Sequence, residues 1–450
     1  MRTALWSCLL AGAALSLYVS YGIATQTVFV GSREGSWVYP YLRPFAWRII
    51  AIWAIALAIM VGLLRLSTRF SNGREWIWLV VCFIAALAVE GLICSLAPYR
   101  FARIFTSDGP NSFHSVAARY TPSTMLRDFA AVRKYWPPHG QSNMPGKSVL
   151  VYWLRRISRS PSIIPWLVVI VSNLGMLLLY GLARDLFDRQ TAIYASLLYI
   201  VTPGKMFFFP LLNTVTPVVV LLTAWLFVRW LRSSNVLYAA AFGASIYAIV
   251  LFEPAGLAIG GLLAGVLVGG LVRAEIRVST FIWQGAVAVA AFAAIYTAMR
   301  VSFGFDLWST VRLLAEDAGR FNIDARRPYD IWVRQNLFDF LIGLGVCQAV
   351  LATPAILDGL MSDGPLRQRL TTPAVIVTGS LAATVALTDL LGVNRGEVVR
   401  LWIFLACAAQ LPAAYLCARL NGQLAIAIVL AVTLLHDALG TSMIGFIIPG

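Results

Sequence analysis

Long apolar segments that hold few charged residues recur along the whole sequence. The segment 76–97, for example, has Glu90 as its single charged residue. A helix of about 20 apolar residues spans the hydrocarbon core of a bilayer, whereas the strands of a membrane barrel are shorter and alternate in polarity. Charged residues make up 12% of the chain, about half the share found in soluble domains. The sequence therefore predicts a polytopic helical membrane protein without a large soluble domain.

Reading the apolar segments between charge clusters predicts an all-α bundle of about 12–13 membrane spans, with amphipathic juxtamembrane helices in an outer loop. The first span could instead be a signal peptide, but Tyr18 and Tyr21 favour an interfacial anchor. The candidate spans are 3–25, 47–64, 76–97, 162–183, 190–203, 207–230, 236–253, 255–272, 279–300, 336–357, 371–389, 398–418 and 422–440.

Arginine-rich connections alternate with less basic ones. If Arg2 faces the cytoplasm, the basic connections face it too, as the positive-inside rule expects. Because most of the cations behind the net charge of +15 lie in such short loops, nucleic acid is not an expected partner. The basic connections hold Arg65, Arg69, Arg74, Arg184, Arg189, Arg229, Arg232, Arg273, Arg277, Arg367, Arg369 and Arg419. The outward side then receives the long connections 98–161 and 304–335 and the tips 205–213, 253–254, 389–400 and 436–437.

The cysteines lie inside or at the edges of apolar segments, and they show no CxxC or Cys/His spacing. Neither disulfides nor a zinc site is therefore predicted. These six residues, interpreted as small lipid-facing or core residues, are Cys8, Cys82, Cys94, Cys347, Cys407 and Cys417.

The first long outer connection, 98–161, contains an amphipathic pattern. Thr121 is a candidate N-cap, and Met125, Phe129 and Trp136 then recur at helical spacing. We expect one helix that lies on the membrane surface and anchors the loop.

Asp108 is a lone carboxylate just outside the third predicted span. Its surroundings, residues 106–111, are typical of a turn, which gives it a plain structural interpretation. His114 is a weaker candidate, because only its proximity to Asp108 recommends it. The segment that follows the surface helix favours a functional role for Asp108.

That segment, residues 139–147, begins with His139 and opens a helix toward the next span. Asn143 can cap this helix, and Gly146 permits a close approach of the backbone. Lys147 lies in the first turn, where a cation and free N–H groups together form a candidate phosphate cradle. Alternatively, Lys147 only snorkels to lipid headgroups.

A second charged segment, 394–402, lies at the outer end of the twelfth predicted span. Glu397 and Arg400 are three residues apart and can pair on one helix face. Ionisable residues near the membrane are costly unless partnered, so they are functional candidates by default. Arg395 and Arg400 offer forked donors that suit a phosphate or pyrophosphate. Interfacial snorkelling is the alternative interpretation.

The second long outer connection mixes both signs of charge, which usually forms a solvated, self-paired surface. Its charged residues include Glu316, Asp317, Arg320, Asp324, Arg326, Arg327 and Asp330.

Together these segments resemble the GT-C superfamily, the multi-span glycosyltransferases that use polyprenyl-phosphate-linked sugars. The resemblance covers residues 76–230 best, and then 394–418. The residues that carry it are Asp108, the segment 139–147 where many relatives have His-Pro-Pro, the segments 178–187 and 193–203, and Gly-Glu-Val-Val-Arg-Leu-Trp at 396–402.

The resemblance implies a GT-C-like helical fold and inverting sugar transfer at the outer face of a bacterial cytoplasmic membrane. Asp108 is implied as the general base, with Lys147, Arg395 and Arg400 binding the donor phosphate. In the family a loop like the second long connection can cover the donor pocket, which adds Arg326 or its neighbour Arg327. The remaining candidate residues, which would contact substrate or shape the loops, are His139, Asn143, Gly146, Glu397 and His114.

The sequence departs from the family pattern in two ways. Many relatives have two adjacent acids, whereas Gly109 follows Asp108 here, and their large loop usually follows the first span. The resemblance therefore implies an additional N-terminal hairpin at 1–75 before a catalytic domain at 76–450, and it leaves Glu34 as a rival base.

Glycosyl transfer needs a carboxylate near the acceptor and cations near the leaving phosphate. Mg²⁺ or Mn²⁺ could assist, but isolated acids specify no metal site, so no metal ligands are predicted. The expected partners are the lipid-linked donor, a glycan, lipid or protein acceptor, and membrane lipids. A lipid-linked-glycan flippase is an alternative, but such a protein should carry ionisable residues midway through its spans, and Glu90 is the main one here. A glycan polymerase or ligase is a further alternative. The sequence does not indicate the sugar, the acceptor or the oligomeric state.

Overall fold

The computed structural model describes residues 2–70, 73–420 and 422–449. Nearly all regular structure in these ranges is α-helical, and the sheet found there is a two-stranded antiparallel hairpin. Nine of the described helices are long and apolar enough to cross a membrane, and a bent helix pair makes a tenth. The predicted fold class, an all-α multi-span bundle, is confirmed.

The elements follow one another in this order. The N-terminal part consists of α1 (Arg2–Ala24), β1 (Gly31–Ser32), β2 (Trp37–Val38), α2 (Arg48–Ser67) and α3 (Glu75–Cys94). The long connection contains α4 (Phe101–Thr106), α5 (Asp108–Asn111), α6 (Phe113–Arg119), α7 (Pro122–Arg127), α8 (Phe129–Val132), a 3₁₀ turn (Arg133–Tyr135), α9 (Pro138–Ser142) and α10 (Gly146–Ile157). The central part consists of α11 (Ile164–Leu186), α12 (Arg189–Ile200), α13 (Pro203–Phe207), a 3₁₀ turn (Leu212–Thr214), α14 (Thr216–Ser233), α15 (Val236–Phe252), a 3₁₀ segment (Pro254–Ile259), α16 (Gly260–Val272) and α17 (Val278–Phe303). The remaining elements are α18 (Leu307–Asp324), α19 (Tyr329–Leu344), α20 (Val346–Leu360), α21 (Leu366–Leu370), α22 (Pro373–Leu390), α23 (Val398–Leu401), α24 (Ile403–Ala408), α25 (Gln410–Arg419) and α26 (Gln423–Met443).

Three predicted spans differ from straight membrane helices. The span predicted at 336–357 consists of α19 and α20, which meet at a bend of 97°. Gly345 lies at this bend with a φ of +104°, in a backbone region that glycine adopts far more readily than other residues. The span predicted at 398–418 is divided into α23, α24 and α25, and 190–203 contains a helix of only 12 residues. Hydropathy reports apolar length but not such breaks, so the predicted number of spans exceeds the number of long helices.

The polar connections that were predicted to share one side meet at one end of the bundle, here called the loop end. Gly31 N in the hairpin donates to Asp339 Oδ1 of α19 over 3.0 Å. Arg133 of the long connection pairs with Asp317 of α18 at 2.7 Å. The loop end is built from the connections 25–47, 95–163, 304–328 and 391–397.

The opposite end of the bundle, here called the arginine end, collects the basic connections. Arg2 donates to Leu420 O over 3.0 Å, and Arg419 pairs with Asp358 at 3.1 Å. This arrangement agrees with the predicted alternation of the connections. Which side of the membrane each end faces stays a prediction.

The hairpin region is fastened to the residues that follow α26. Leu42 N donates to Met443 O over 2.8 Å, and Gly445 N donates to Pro40 O over 2.7 Å. Helix α1 itself packs against α20 and α26. The N-terminal helices therefore belong to the same packed bundle, and the domain boundary predicted after residue 75 stays a prediction.

Two of the predicted outer tips are buried among the helices rather than exposed as loops. The chain between α12 and α14 turns back within the helices, which buries residues 205–213. Lys205 Nζ lies 2.8 Å from Glu90 Oε1 and 2.9 Å from Asn173 Oδ1. Residues 436–437 lie within α26 and are at most 1% exposed. Local polarity suggested exposed loops, whereas these polar side chains are buried in the protein interior.

The first long connection folds into several short helices. Thr121 caps α7 as predicted, because its Oγ1 accepts a backbone N–H of the first turn at 3.3 Å. Helix α7 ends at Arg127, and α8 and a 3₁₀ turn follow after Asp128. Met125, Phe129 and Trp136 are buried together in one cluster. The predicted apolar face is therefore confirmed, whereas the single continuous surface helix was wrong.

Helices α16 and α22 pack closely toward the arginine end. Gly261, Gly265 and Gly269 are spaced by four residues and lie on one face of α16. A Cβ atom at these glycines would meet side chains of α22, namely Thr384, Ser380 and Ile376 respectively. Small residues commonly allow helices in membranes to approach in this way. The two helices form part of the wall of a cavity described below.

Candidate active site at the loop end

An ion-pair network at the loop end centres on Glu397. Arg400 donates to Glu397 Oε2, so the predicted ion pair forms, but Glu397 precedes α23 with a left-handed backbone instead of sharing a helix face with Arg400. Arg327 Nη2 donates to the other oxygen, Oε1, at 2.9 Å. Burial raises the pKa of Glu397, but the two guanidinium groups outweigh burial and hold the pKa below its ordinary value. The network therefore has two cations for one carboxylate.

His139 extends this network toward the first long connection. Its Nε2 lies 3.3 Å from Arg400 Nη1. Burial, together with the charge of Arg400, lowers the pKa of His139 to about 3. The imidazole is therefore neutral near pH 7, and in the tautomer with an unprotonated Nε2 it can accept a hydrogen bond from Arg400.

Lys147 is buried rather than open to solvent. Its side chain is 1% exposed, and its Nζ pairs with Glu253 at the end of α15. The same Nζ donates to Asn143 Oδ1 at 2.9 Å. The cation predicted to bind a donor phosphate thus already has a carboxylate partner, which reduces its attraction for a second anion.

Asn143 and Gly146 act differently from the prediction. Asn143 does not cap α10, because its amide bonds Lys147 and, through Nδ2, the carbonyl of His139 at 2.9 Å. A Cβ at Gly146 would collide with the carbonyl of Leu251. The close backbone approach at Gly146 therefore serves the packing of α10 on α15.

Asp108 is exposed at the start of α5. Ser115 Oγ donates a hydrogen bond to Asp108 Oδ1. The nearby His114 Nε2 lies 2.8 Å from Arg155 Nη1. Burial and then Arg155 lower the pKa of His114, and the charge of Asp108 acts in the opposite direction. Asp108 is thus an oriented, solvent-accessible carboxylate with a neutral imidazole close by.

The short helices α5 and α9 bring Asp108 and His139 into one region. The two helices are in contact. Ser112, just after α5, accepts a hydrogen bond from Gly140 N at 2.7 Å through its Oγ. Since His139 also contacts Arg400, the predicted base and the predicted cation are connected through α9. Lys147 joins the same region through Asn143.

Glu34, the rival base, is exposed in the turn between β1 and β2. This hairpin is held by Trp332, whose Nε1 donates to Gly35 O over 3.1 Å. The ring of Trp37 lies 5.2 Å from the guanidinium carbon of Arg327. The hairpin that carries Glu34 therefore borders the Arg327–Glu397–Arg400 network as well.

The other predicted arginines have different surroundings. Arg395 donates to Gly392 O and to Arg327 O, each at 3.1 Å, so two of its donors hold the loop before α23. Arg326 is exposed, whereas the adjacent Arg327 is buried in the network. The arginine that meets Glu397 is thus Arg327, which the sequence offered only as an alternative to Arg326.

Sequence reasoning missed three partners of the candidate residues: Glu253, Arg155 and Ser115. Glu253 stood out only as the end of an apolar segment, and its partner Lys147 is 106 positions earlier. No local spacing signals a pair so far apart. Ser115 is seven residues from Asp108, beyond one helical turn.

Asp108 and His114 alone do not form a complete set of ligands for a divalent cation. Within the described ranges, no group of three or more His, Cys, Asp or Glu side chains is placed to hold a metal ion. His114, the nearest candidate ligand, faces the cationic Arg155.

Fold and site together define a multi-span helical membrane protein with a charged cluster at one end. No protein-family model matches the sequence, and no curated protein matches it. The chain is similar to the oligosaccharyltransferase AglB from Archaeoglobus fulgidus in complex with an inhibitory peptide and a dolichol-phosphate. That match has 12% identity and a TM-score of 0.42, and it covers 82% of this chain and 56% of AglB.

A second similar structure is an Archaeoglobus fulgidus oligosaccharyltransferase in complex with Zn and sulfate. Here the identity is 13% and the TM-score 0.27, with 72% of this chain and 53% of the other covered. This chain thus spans about half the length of each of the two oligosaccharyltransferases.

Proposed function

We propose that this protein is a GT-C-type glycosyltransferase of the bacterial cytoplasmic membrane. It transfers a sugar, with inversion, from a polyprenyl-phosphate donor to an acceptor at the outer face. One juxtaposition carries the proposal: the exposed Asp108 lies on a short helix packed against the helix of His139, which contacts Arg400. A carboxylate for the acceptor and cations for the donor phosphate are thus in neighbouring positions.

In this reaction Asp108 accepts the proton of the acceptor hydroxyl as its oxygen forms a bond to the anomeric carbon. The bond between that carbon and the phosphate oxygen breaks, and its electron pair leaves with the lipid phosphate. The hydrogen bond from Ser115 orients the carboxylate. General-base assistance of this kind contributes about 10²–10⁴-fold to the rate.

The charge that develops on the leaving phosphate is stabilised by Arg400 and Arg327. Their network has one more cation than carboxylates, and the neutral His139 adds no competing charge. Lys147, whose charge Glu253 compensates, has the smaller role. Preorganised cations of this kind stabilise a transition state without further reorganisation.

A transfer assay with purified protein tests the base. Polyprenyl-phosphate monosaccharides with radiolabelled sugars are supplied, and release of the lipid phosphate is measured. We expect Asp108→Asn to lose about 10²–10⁴-fold in rate. Asp128→Asn is the matched control, because Asp128 is an exposed carboxylate of the same connection.

Glu34→Gln separates the two candidate bases. If Asp108 is the base, this variant keeps its rate within a few fold. Normal turnover by D108N together with loss of turnover by E34Q would assign the base to Glu34. Normal turnover by both variants contradicts the proposed carboxylate chemistry.

A lipid-linked-glycan flippase is a second candidate, favoured by the ionisable residues buried within the helices. Lys205 and Glu90 form such a pair. A flippase moves a fluorescent lipid-linked glycan from one leaflet of a vesicle membrane to the other, and the bond between the sugar and the lipid phosphate stays intact. Movement without release of lipid phosphate would favour this function over transfer.

A further inference from the structure

The arginine end contains a cavity that the proposed sugar transfer does not use. It has a volume of about 520 Å³ and lies between the ends of α11, α14 and α16 and the start of α22. The candidate active site lies at the other end of the bundle. The cavity is therefore separate from the candidate active site.

The inner wall of this cavity is apolar. Val228 and Leu231 of α14, Val266 of α16 and Ile376 of α22 line it. Val266 is about two helical turns, or roughly 10 Å, from the end of α16. The depth of the apolar wall therefore matches the glycerol region and the first part of an acyl chain rather than a small soluble ion.

Two arginines and two acids line the mouth of the cavity, namely Arg232 and Arg273 with Asp185 and Glu275, so the charges of the lining balance. The segments around it, 184–189, 229–232, 273–277 and 363–369, contain eight arginines and four acidic residues, so the region around the mouth has a net charge of +4. Such a field favours a headgroup with uncompensated negative charge over a zwitterionic one.

The two lining arginines differ in how firmly they are held. Arg273 donates to the carbonyl of Thr371 and pairs with Glu275 at 2.9 Å, which fixes its guanidinium between α16 and α22. Arg232 lies 3.7 Å from Asp185, beyond hydrogen-bond distance, and its side chain is 59% exposed. Arg232 is thus the cation best placed to reorient toward a phosphate.

Helix α16, which forms part of the cavity wall, also has exposed apolar side chains. Val268 and Leu271 are exposed on other faces of the helix than the one that carries Val266 and Gly270 of the cavity wall. We propose that the cavity binds one anionic phospholipid, with its phosphate at Arg232 and Arg273 and its first acyl carbons along the apolar wall. Basic pockets between membrane helices are a known way to bind such headgroups.

Photocrosslinking in vesicles tests this proposal with the full chain. The protein is reconstituted with phosphatidylglycerol, phosphatidylethanolamine or phosphatidylcholine, each with the same diazirine near the top of one acyl chain. Labelled peptides are then identified by mass spectrometry. We expect phosphatidylglycerol to label the peptides around Val266 and Ile376 about tenfold more than the two zwitterionic lipids.

Arginine variants define the headgroup contact. R232Q/R273Q should reduce labelling by phosphatidylglycerol to the level of phosphatidylcholine, and R232Q alone should reduce it partly while keeping the bond from Arg273 to Thr371. R65Q/R69Q is the matched control, because both are exposed arginines of the same end outside the cavity. It should leave the labelling unchanged.

A cavity-filling variant addresses the acyl contact if the arginine variants fold poorly. V266W keeps every arginine and should abolish labelling at Ile376. Equal labelling by all three lipids, or labelling unaffected by R232Q and V266W, would overturn the proposal. So would full displacement of the lipid by free glycerol phosphate, since the ligand would then be a soluble anion.

Discussion

The Arg327–Glu397–Arg400 network at the loop end and the Lys205–Glu90 pair inside the bundle differ in burial and in charge balance. Lys205 and Glu90 are at most 1% exposed and neutralise each other, with Asn173 completing their hydrogen bonds. The network is 5–14% exposed and keeps one surplus cation. In this arrangement the buried pair has no surplus charge for an anion, whereas the network beside the loops has one.

The largest effect is expected at the sealed pair. Glu90→Gln leaves the ammonium of Lys205 buried without its counter-charge, which costs about 3–5 kcal/mol of unfolding free energy. Thermal unfolding of the purified protein in detergent measures the loss. The double variant E90L/K205M should recover part of it, since no unpaired charge remains although Asn173 loses its partners. An E90Q protein as stable as the parent would show that the pair is not sealed from water.

Substitutions in the Arg327–Glu397–Arg400 network should weaken ligand binding more than they lower the unfolding free energy. Arg400→Gln removes a charged donor facing the proposed phosphate and should weaken binding of a polyprenyl phosphate about 10- to 100-fold, the value of one charge-assisted hydrogen bond. Arg395→Gln is the matched control, because Arg395 bonds backbone carbonyls. Equal losses in both variants would contradict the distinction between them.

The folding stability should also depend on pH, because of His139 at the loop end. The pKa of His139 in the folded protein is about 3, below the value of about 6.5 in an unfolded chain. The unfolded state therefore binds the additional proton between these values, and stability is lost as the pH falls. The lowered pKa of Glu397 acts in the same direction at more acidic pH.

Between pH 7 and pH 5 the contribution of His139 amounts to about 2 kcal/mol. Chemical unfolding of the parent and of His139→Gln at both pH values measures it. The variant should lose less stability on acidification than the parent. Identical losses would place the imidazole in a more solvated position.

The smallest effect is expected at an exposed pair. Arg312 and Glu316 on α18 are 85% and 54% exposed. Glu316→Gln should change the unfolding free energy by about 0.5 kcal/mol or less. A larger change, measured in the same thermal assay, would mean that α18 is packed against something that shields the pair.

Features decided by short sequence distances were predictable. Apolar length gave the multi-span fold, and the spacing of Glu397 and Arg400 gave their ion pair. Thr121 capped its helix as expected. In each case the physical cause lies within one continuous segment of the chain.

Features decided by distant partners were not predictable. Lys205 looked like an outer-loop cation because its partner Glu90 lies 115 positions away. Arg326 and Arg327 are equivalent in sequence, and only the fold shows which one meets Glu397, 70 positions on. The bend at Gly345 likewise interrupts an apolar stretch that hydropathy reads as one span.

The bonds from residues 40–42 to residues 443–445 have a consequence for biosynthesis. The hairpin region emerges from the ribosome early, but its backbone partners follow α26. The loop that carries Glu34 cannot reach its final arrangement until α26 has been synthesised and inserted. Completion of the hairpin region is thereby timed to the last helix, so a truncated, stalled translation product would lack it.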